Sequence, residues 1–328
     1  MARPDGAVVG RPGQVVVRSV PRRGPGASVS LSLKRALSSG GDRGEGSSAA
    51  GHAAAAAHED LEVELRQALD GGDLVLEFQP ERRIAGAMGQ AGTIRSVEAL
   101  VRWRHLARGV IPPAVFLPIA ETTGLIERIG RWVLPQAVAQ ARLWQISDPT
   151  YQALSVAINL SPRELARPGL AADVRQIVEA HSLEPATLTL EITEAALNDR
   201  AIAVAALTAL RAMGVRIALD DCQGGEDIVE RLRDVPLDAL KLDPAVTSGL
   251  GTPATDEAAR TLMGAARTLG LQTVGEGVET REQLKTLRDH GCDLAQGYLF
   301  GKPLGAAGIS SLLRAERRRR TDRGGGAR

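Results

Sequence analysis

TLTLEITEAALNDRAIAVAALTALRAMGVRIALDD, residues 187–221, carries a β-rich run at each end and a helical stretch between them. TLTLEIT (187–193) and VRIALDD (215–221) are short and apolar. IAVAALTALRAMG between them repeats apolar residues at helical period and stops at Gly214, where a left-handed cap suits glycine. Strand, helix, strand is the building unit of a parallel sheet. Both strands also carry acids near their ends: Glu191 in the first, Asp220 and Asp221 in the second.

Working outward, six further runs share this character: LVLEFQ (74–79), TIRSVEAL (93–100), LSVAINL (154–160), ALKLD (239–243), LQTVGE (271–276) and DLAQGYLF (293–300). Ala/Leu/Arg-rich helical segments separate most of them, and Gly270 and Gly291 stand at further helix stops. AAAAAHEDLEVELRQALD, from about residue 53, reads as a lead-in helix. Eight strands alternating with helices define an α/β fold of the TIM (β/α)8 type, and residues 58–313 are close to the roughly 250 residues such a barrel takes. Residues 1–57, dominated by Gly, Ala, Ser, Pro and Arg, lack the apolar surface to offset chain entropy and read as a disordered leader. RAERRRRTDRGGGAR (314–328) reads as a basic disordered tail.

The formal net charge of +1 hides an asymmetry. The leader holds eight Arg/Lys against three Asp/Glu and the tail seven against two, so each is +5 and the central region keeps −9. A core that acidic repels a phosphate unless cations intervene. Cys222 and Cys292 are too few for a disulfide framework, so a reducing, cytoplasmic setting fits. No apolar run is long enough to enter a membrane, and there is no signal-peptide core. Aromatics at 2% leave few stacking platforms, which argues against specific nucleic-acid binding; the arginine tails read as solvated.

Nearly every run carries a polar or charged residue at or near its end: Gln79, Glu98, Asn159, Glu191, Asp220 with Asp221, Lys241 with Asp243, Glu276 and Gln296. In a parallel barrel the strand C-termini open on one face, which gathers six carboxylates, three amides and a lysine. Crowded carboxylates raise each other's pKa and oppose folding, and divalent ions resolve the conflict. Oxygen ligands suit Mg²⁺ or Mn²⁺ better than zinc, and no histidine stands at the end of a strand run. Asp220-Asp221 can serve two ions, which about 3.5–4 Å apart clamp a phosphodiester. Lys241 and Glu276 then flank the water as charge partner and general base. Each residue also has a plainer reading: Glu98 paired with Arg102, Asn159 capping the Ser-Pro-Arg-Glu turn, Asp221 a loop residue, Lys241 a solvated strand end. Those readings need a coincidence on almost every strand.

In its motifs the chain resembles the EAL-domain cyclic di-GMP phosphodiesterases, through FQP (78–80), EALVRW from Glu98, FLPIAETTGLI, INLSP, LEITE, LDD, LKLD, GEGVE and QGYLFGKPL ending at Leu304. The resemblance implies a modified barrel whose first strand runs antiparallel. It implies Glu98, Asn159, Glu191 and Asp220 as ligands of one ion, Asp220 and Asp221 as holders of a second, and Lys241 and Glu276 as the groups that position and deprotonate water. Gln79, Leu100, Arg102 and Glu279 become substrate contacts, with Gln296 close to the water and metals, and the product is linear pGpG. Asp243 and Glu194 are supporting residues, and the family often forms a homodimer near the loop after the paired aspartates.

That loop departs from the family pattern, approximately DFGTGYSS. Here Cys222, Gln223, Glu226, Asp227 and Ile228 replace most of it. Glu194, which in the family braces the loop, is kept; loss of such outer support typically costs about 10 to 100-fold in metal affinity or activity. The alternative function is therefore a cyclic di-GMP receptor or interaction module with little turnover. A third, nucleic-acid or structural role for the tail predicts that deleting 314–328 abolishes function while Glu98→Ala does not. Cys222 reads as a small core residue rather than a redox-sensitive thiol. A leader of about 57 residues is shorter than an ordinary domain, so the chain reads as a stand-alone phosphodiesterase.

Overall fold

Residues 47–84, 92–225 and 227–324 are described by the computed structural model. The chain forms two units, Met1–His52 and Ala53–Arg328, and the barrel lies in the second. In chain order the elements are α1 (Ser47–Gly71), β1 (Leu74–Arg83), β2 (Ile94–His105), β3 (Gly109–Ile111), α2 (Pro113–Thr123), α3 (Ile126–Ser147), β4 (Ser155–Asn159), α4 (Pro162–Leu165), α5 (Leu170–Ala180), β5 (Leu188–Thr193), α6 (Arg200–Arg211), β6 (Arg216–Cys222), α7 (Ile228–Leu232), β7 (Ala239–Leu242), α8 (Pro244–Ser248), α9 (Pro253–Leu269), β8 (Gln272–Gly275), α10 (Arg281–Asp289), β9 (Leu294–Gln296) and α11 (Ala306–Gly324). All eight runs read from the sequence are strands; β3, a short addition to the far end of β2, was not among them.

Eight strands close the barrel in the order β1-β2-β4-β5-β6-β7-β8-β9, with β9 returning to β1. The β4 to β9 strands run parallel, and β1 is antiparallel to both β2 and β9. The connection from β1 to β2 is too short for a crossover helix, which requires a dozen or more residues, so the two strands pair as a hairpin. Alternation along each strand divides the side chains between two environments. Val156, Ile158, Leu188, Leu190, Ile192, Ile217, Leu219, Leu240 and Leu242 are buried, in one core with Val174 and Val178 of α5, Leu207 and Leu210 of α6 and Leu262 of α9. Each such aliphatic contributes about 1.5–3 kcal/mol by burial. The intervening positions line the lumen, where the small Ser96, Ala157, Thr189, Ala218 and Ala239 share a cavity with Glu191 and Lys241. Small residues leave room for the long charged ones.

Three expectations are corrected. The leader's last residues, 47–57, are helical within α1, because alanine is the strongest helix former; residues 1–46 lie outside the described ones. The basic tail is helical too, since α11 continues through its arginines to Gly324, and 325–328 lie outside the described residues. What holds α11 is Glu316, which pairs with Arg82 at 2.9 Å and accepts the Ile94 N–H at 3.1 Å, and Tyr151, whose hydroxyl donates to the Leu313 carbonyl. Third, a histidine does end a strand: β2 runs five residues past Leu100 to His105, which pairs with Glu64 at 3.4 Å, seven residues beyond Glu98.

Candidate metal centre

Strand register brings the acidic side chains to one place. Gln79 of β1 lies opposite Glu98 of β2, Asn159 ends β4 beside Glu191 of β5, and Thr193 pairs with Asp220 of β6. Lys241 sits on β7, Glu276 follows β8, and Gln296 ends β9. Lys241 is 1% exposed and its ammonium is the hub: 2.7 Å from Glu191 and from Glu276, 3.6 Å from Asp220 and 3.8 Å from Glu98. Burial alone would lower the ammonium's pKa, but the surrounding carboxylates raise it well above its ordinary 10.5, so it stays charged.

Glu98 is met by amides. Asn159 Nδ2 donates to Oε1 at 2.7 Å and Gln296 Nε2 to Oε2 at 2.6 Å, while Gln296 also reaches Gln79 Oε1 at 3.2 Å. Burial raises the Glu98 pKa, but Lys241 and the two amides prevail and hold it below its ordinary value. Because Asn159 gives its nitrogen to Glu98, its carbonyl oxygen is the end left for a cation. Glu191 and Glu276 are different. Burial lifts both well above 4.5 against the pull of Lys241, with neighbouring acids adding to the rise. Glu191 Oε2 is a buried oxygen without a hydrogen-bond partner, the kind of atom a cation satisfies.

Oxygens of Asp220, Asp221 and Glu276 all lie within 4.8 Å of one another. Asp221 reaches this place through a left-handed backbone (φ 55°), uncommon for a residue with a side chain. Its N–H donates to Asp220 Oδ1 at 2.9 Å. The all-oxygen donor set and the orphaned Glu191 oxygen fit hard divalent ions.

Other expected residues stand apart. Arg102 does not pair with Glu98; it pairs with Glu77, which faces Leu100 across the β1–β2 ladder, at 3.0 Å. Leu100 is half-buried, and Glu279 is exposed with its N–H bonded to Gln283. Asp243 is buried and caps α8, Oδ1 accepting the Ala245 N–H at 2.7 Å and Oδ2 accepting Gln223 Nε2 at 2.9 Å. Glu194 pairs with Arg231 at 3.4 Å. Cys222 is fully buried, and burial pushes its thiol pKa up, as expected of a core residue. The sequence reading missed Glu81, a lumen carboxylate 4% exposed that shares a cavity of about 70 Å³ with Glu191 and Lys241. Its signal was the two-residue step from Gln79, hidden because the strand was ended there. Arg231 and the Gln223–Asp243 bond were also missed, having no pattern in the linear sequence.

Closed barrel and oxygen-lined rim together define a β/α barrel protein with an acidic cluster at the strand ends. Residues 62–303 match the EAL domain family, and the chain belongs to it. It is 41% identical over 254 residues to the bifunctional diguanylate cyclase/cyclic di-GMP phosphodiesterase MucR of Pseudomonas aeruginosa, covering 76% of this chain and 36% of that protein. To the cyclic di-GMP phosphodiesterase NbdA of the same organism it is 38% identical over 261 residues, 78% of this chain and 32% of that one. The chain thus spans about a third of these curated relatives. The solved PaMucR phosphodiesterase, c-di-GMP complex, superposes with a TM-score of 0.70 at 39% identity, over 76% of this chain and 99% of that one. No helix among the described residues is long and apolar enough to cross a membrane.

Proposed function

We propose that this chain hydrolyses one phosphodiester of cyclic di-GMP to linear pGpG, with two Mg²⁺ or Mn²⁺ ions held at the rim, in the cytoplasm. The observation that carries it is the buried carboxylate set around Lys241, unbalanced in charge, with an oxygen of the exposed Asp221 within 4.8 Å of those of Asp220 and Glu276. Family membership and the ligand named in the PaMucR complex support the substrate. Glu98, Asn159, Glu191 and Asp220 would hold one ion, and Asp220 with Asp221 the second. When bound, the ions supply Lewis-acid polarisation of the phosphate and a lowered water pKa.

The chain's own groups do the rest. Glu276 accepts the proton of the attacking water at a carboxylate oxygen. It is placed for that role beside the Asp220 and Asp221 oxygens, within 4.8 Å of both. Lys241, 2.7 Å away, fixes that carboxylate and keeps positive charge beside the reacting phosphate. Gln296 and Asn159 hold Glu98 in one rotamer. Gln79, Leu100 and Glu279 contact the nucleotide; Arg102 does so by releasing Glu77 or by sharing it, its planar fork matching a phosphate. A homodimer near 222–231 is the assembly the family pattern favours.

Purified chain with Mn²⁺ and cyclic di-GMP, followed by chromatography, tests the reading: pGpG accumulates, and does not with Glu276→Gln. Ligand binding without any pGpG would replace it with the receptor role that the altered loop favours.

A further inference from the structure

The loop that departs from the family pattern is re-anchored by contacts of its own. At its near end the β6–β7 ladder skips between Leu219 and Cys222, and within that irregularity Asp221 takes its left-handed conformation. Bulges of this kind re-aim side chains beside active sites, and a non-glycine residue held there costs about 1–3 kcal/mol unless its surroundings fix it. Beyond it, Gly224 and Gly225 have φ of 98° and 138°, conformations that only glycine adopts readily and that add no stiffness. Rigidity must therefore enter at residues 222 and 223. The Cys222 carbonyl accepts the Asp243 N–H at 3.0 Å, and Gln223 Nε2 donates to Asp243 Oδ2 at 2.9 Å. Asp243 is itself immobile, since it is buried and its other oxygen caps α8. At the far end Arg231 of α7 joins Glu194 at 3.4 Å and Asp227 at 3.6 Å.

We propose that Gln223, through its bond to Asp243, is the positioning residue that keeps Asp221 turned toward Asp220 and Glu276 and so sets the affinity of the second metal position. This rests on the two-ion reading above. Gln223 is exposed and two residues from Asp221, so it does not fill the core. A side chain that only capped α8 would be redundant, because Asp243 already does so through Oδ1.

The test uses the full chain and Mn²⁺ alone, followed by calorimetry and by the spin-resonance signal of free and bound Mn²⁺. Gln223→Met keeps the length and removes the donor; Gln223→Glu sets a carboxylate against Asp243. In both, the second equivalent of Mn²⁺ binds about 10 to 100-fold more weakly than in wild type, the range found for lost outer support. The first equivalent and the metal-free melting midpoint stay at wild-type values. Variants that bind both equivalents as wild type does would overturn the inference while leaving the two-ion reading intact. A metal-free midpoint that falls with both equivalents weakened alike would also overturn it, assigning Gln223 to the fold. Wild type that takes up no Mn²⁺ would overturn the two-ion reading and this inference with it.

Discussion

At Glu98 two oxygens receive two amides, and each of those amides comes from a different strand. The side chain therefore ties β2 to β4 and β9 while facing Lys241, and removing it disturbs both the ligand set and the balance around the ammonium. Glu98→Ala is expected to lower Mn²⁺ affinity by at least 100-fold and abolish turnover; retained uptake in calorimetry would refute its role as a ligand. Glu81 stands among the same buried acids, and its effect on stability can be read through pH. Burial raises its pKa above the ordinary 4.5, so the folded chain binds this proton more tightly than the unfolded chain. Its contribution is thus fully present below about pH 4.5 and is lost as pH rises through the folded value. Gln mimics the neutral form, so Glu81→Gln should raise the melting midpoint at about pH 8 and leave it nearly unchanged at about pH 4; an equal rise at both would show that charge is not the cause. Glu98, Asn159, Glu191, Asp220, Lys241 and Glu276 were legible because each stands within or at the end of an apolar run, where a polar residue is conspicuous. Glu81 lies beyond Pro80 in what looks like a charged loop, and nothing linear separates it from Arg82 and Arg83.

The element that carries the most unexpected weight is α11. Its sequence is arginine-rich, and it docks on the barrel unit by burying Ile309 and Leu313 and through partners distant in the chain: Arg82 and Ile94 on Glu316, Tyr151 on Leu313, and Trp144, whose indole N–H donates to Ser310 at 2.9 Å. Glu316→Ala leaves the buried Ile94 N–H without its acceptor and removes the ion pair of Arg82, which keeps the Gly92 carbonyl at 2.9 Å. Stranding a buried donor costs about 1–3 kcal/mol, which urea unfolding should show while Mn²⁺ affinity holds; an unchanged midpoint would mean α11 is not docked in this way. The strands were legible because period-two and period-3.6 patterns alternate cleanly from residue 74 onward. What pattern could not give was direction. An antiparallel β1 follows from the length of the link to β2, and the length of β2 past Leu100 comes from pairing with β1 and β3 across VRWRH.

For the molecule as a whole, the barrel holds more negative charge than its fold can neutralise. Glu81, Glu98, Glu191, Asp220 and Glu276 are all buried around the single ammonium of Lys241, inside a central region of −9. Raised pKa values at Glu191 and Glu276 are the metal-free chain's way of reducing that excess: it takes up protons. Divalent cations compete for the same oxygens, so binding must release protons and strengthen as pH rises. Mn²⁺ at about 100 times its dissociation constant stabilises the folded state by about 2.7 kcal/mol, which for a domain of this size is a rise of roughly 5–10 °C in melting midpoint. The rise should be larger at about pH 8 than at about pH 5, and EDTA should reverse it. Lys241→Met sharpens the case: without the ammonium the carboxylates repel unopposed, so the metal-free variant loses about 3–5 kcal/mol, the cost of breaking a buried pair, and recovers a larger share on adding Mn²⁺ than wild type gains. A midpoint indifferent to Mn²⁺ in both proteins would show that protons alone balance this barrel.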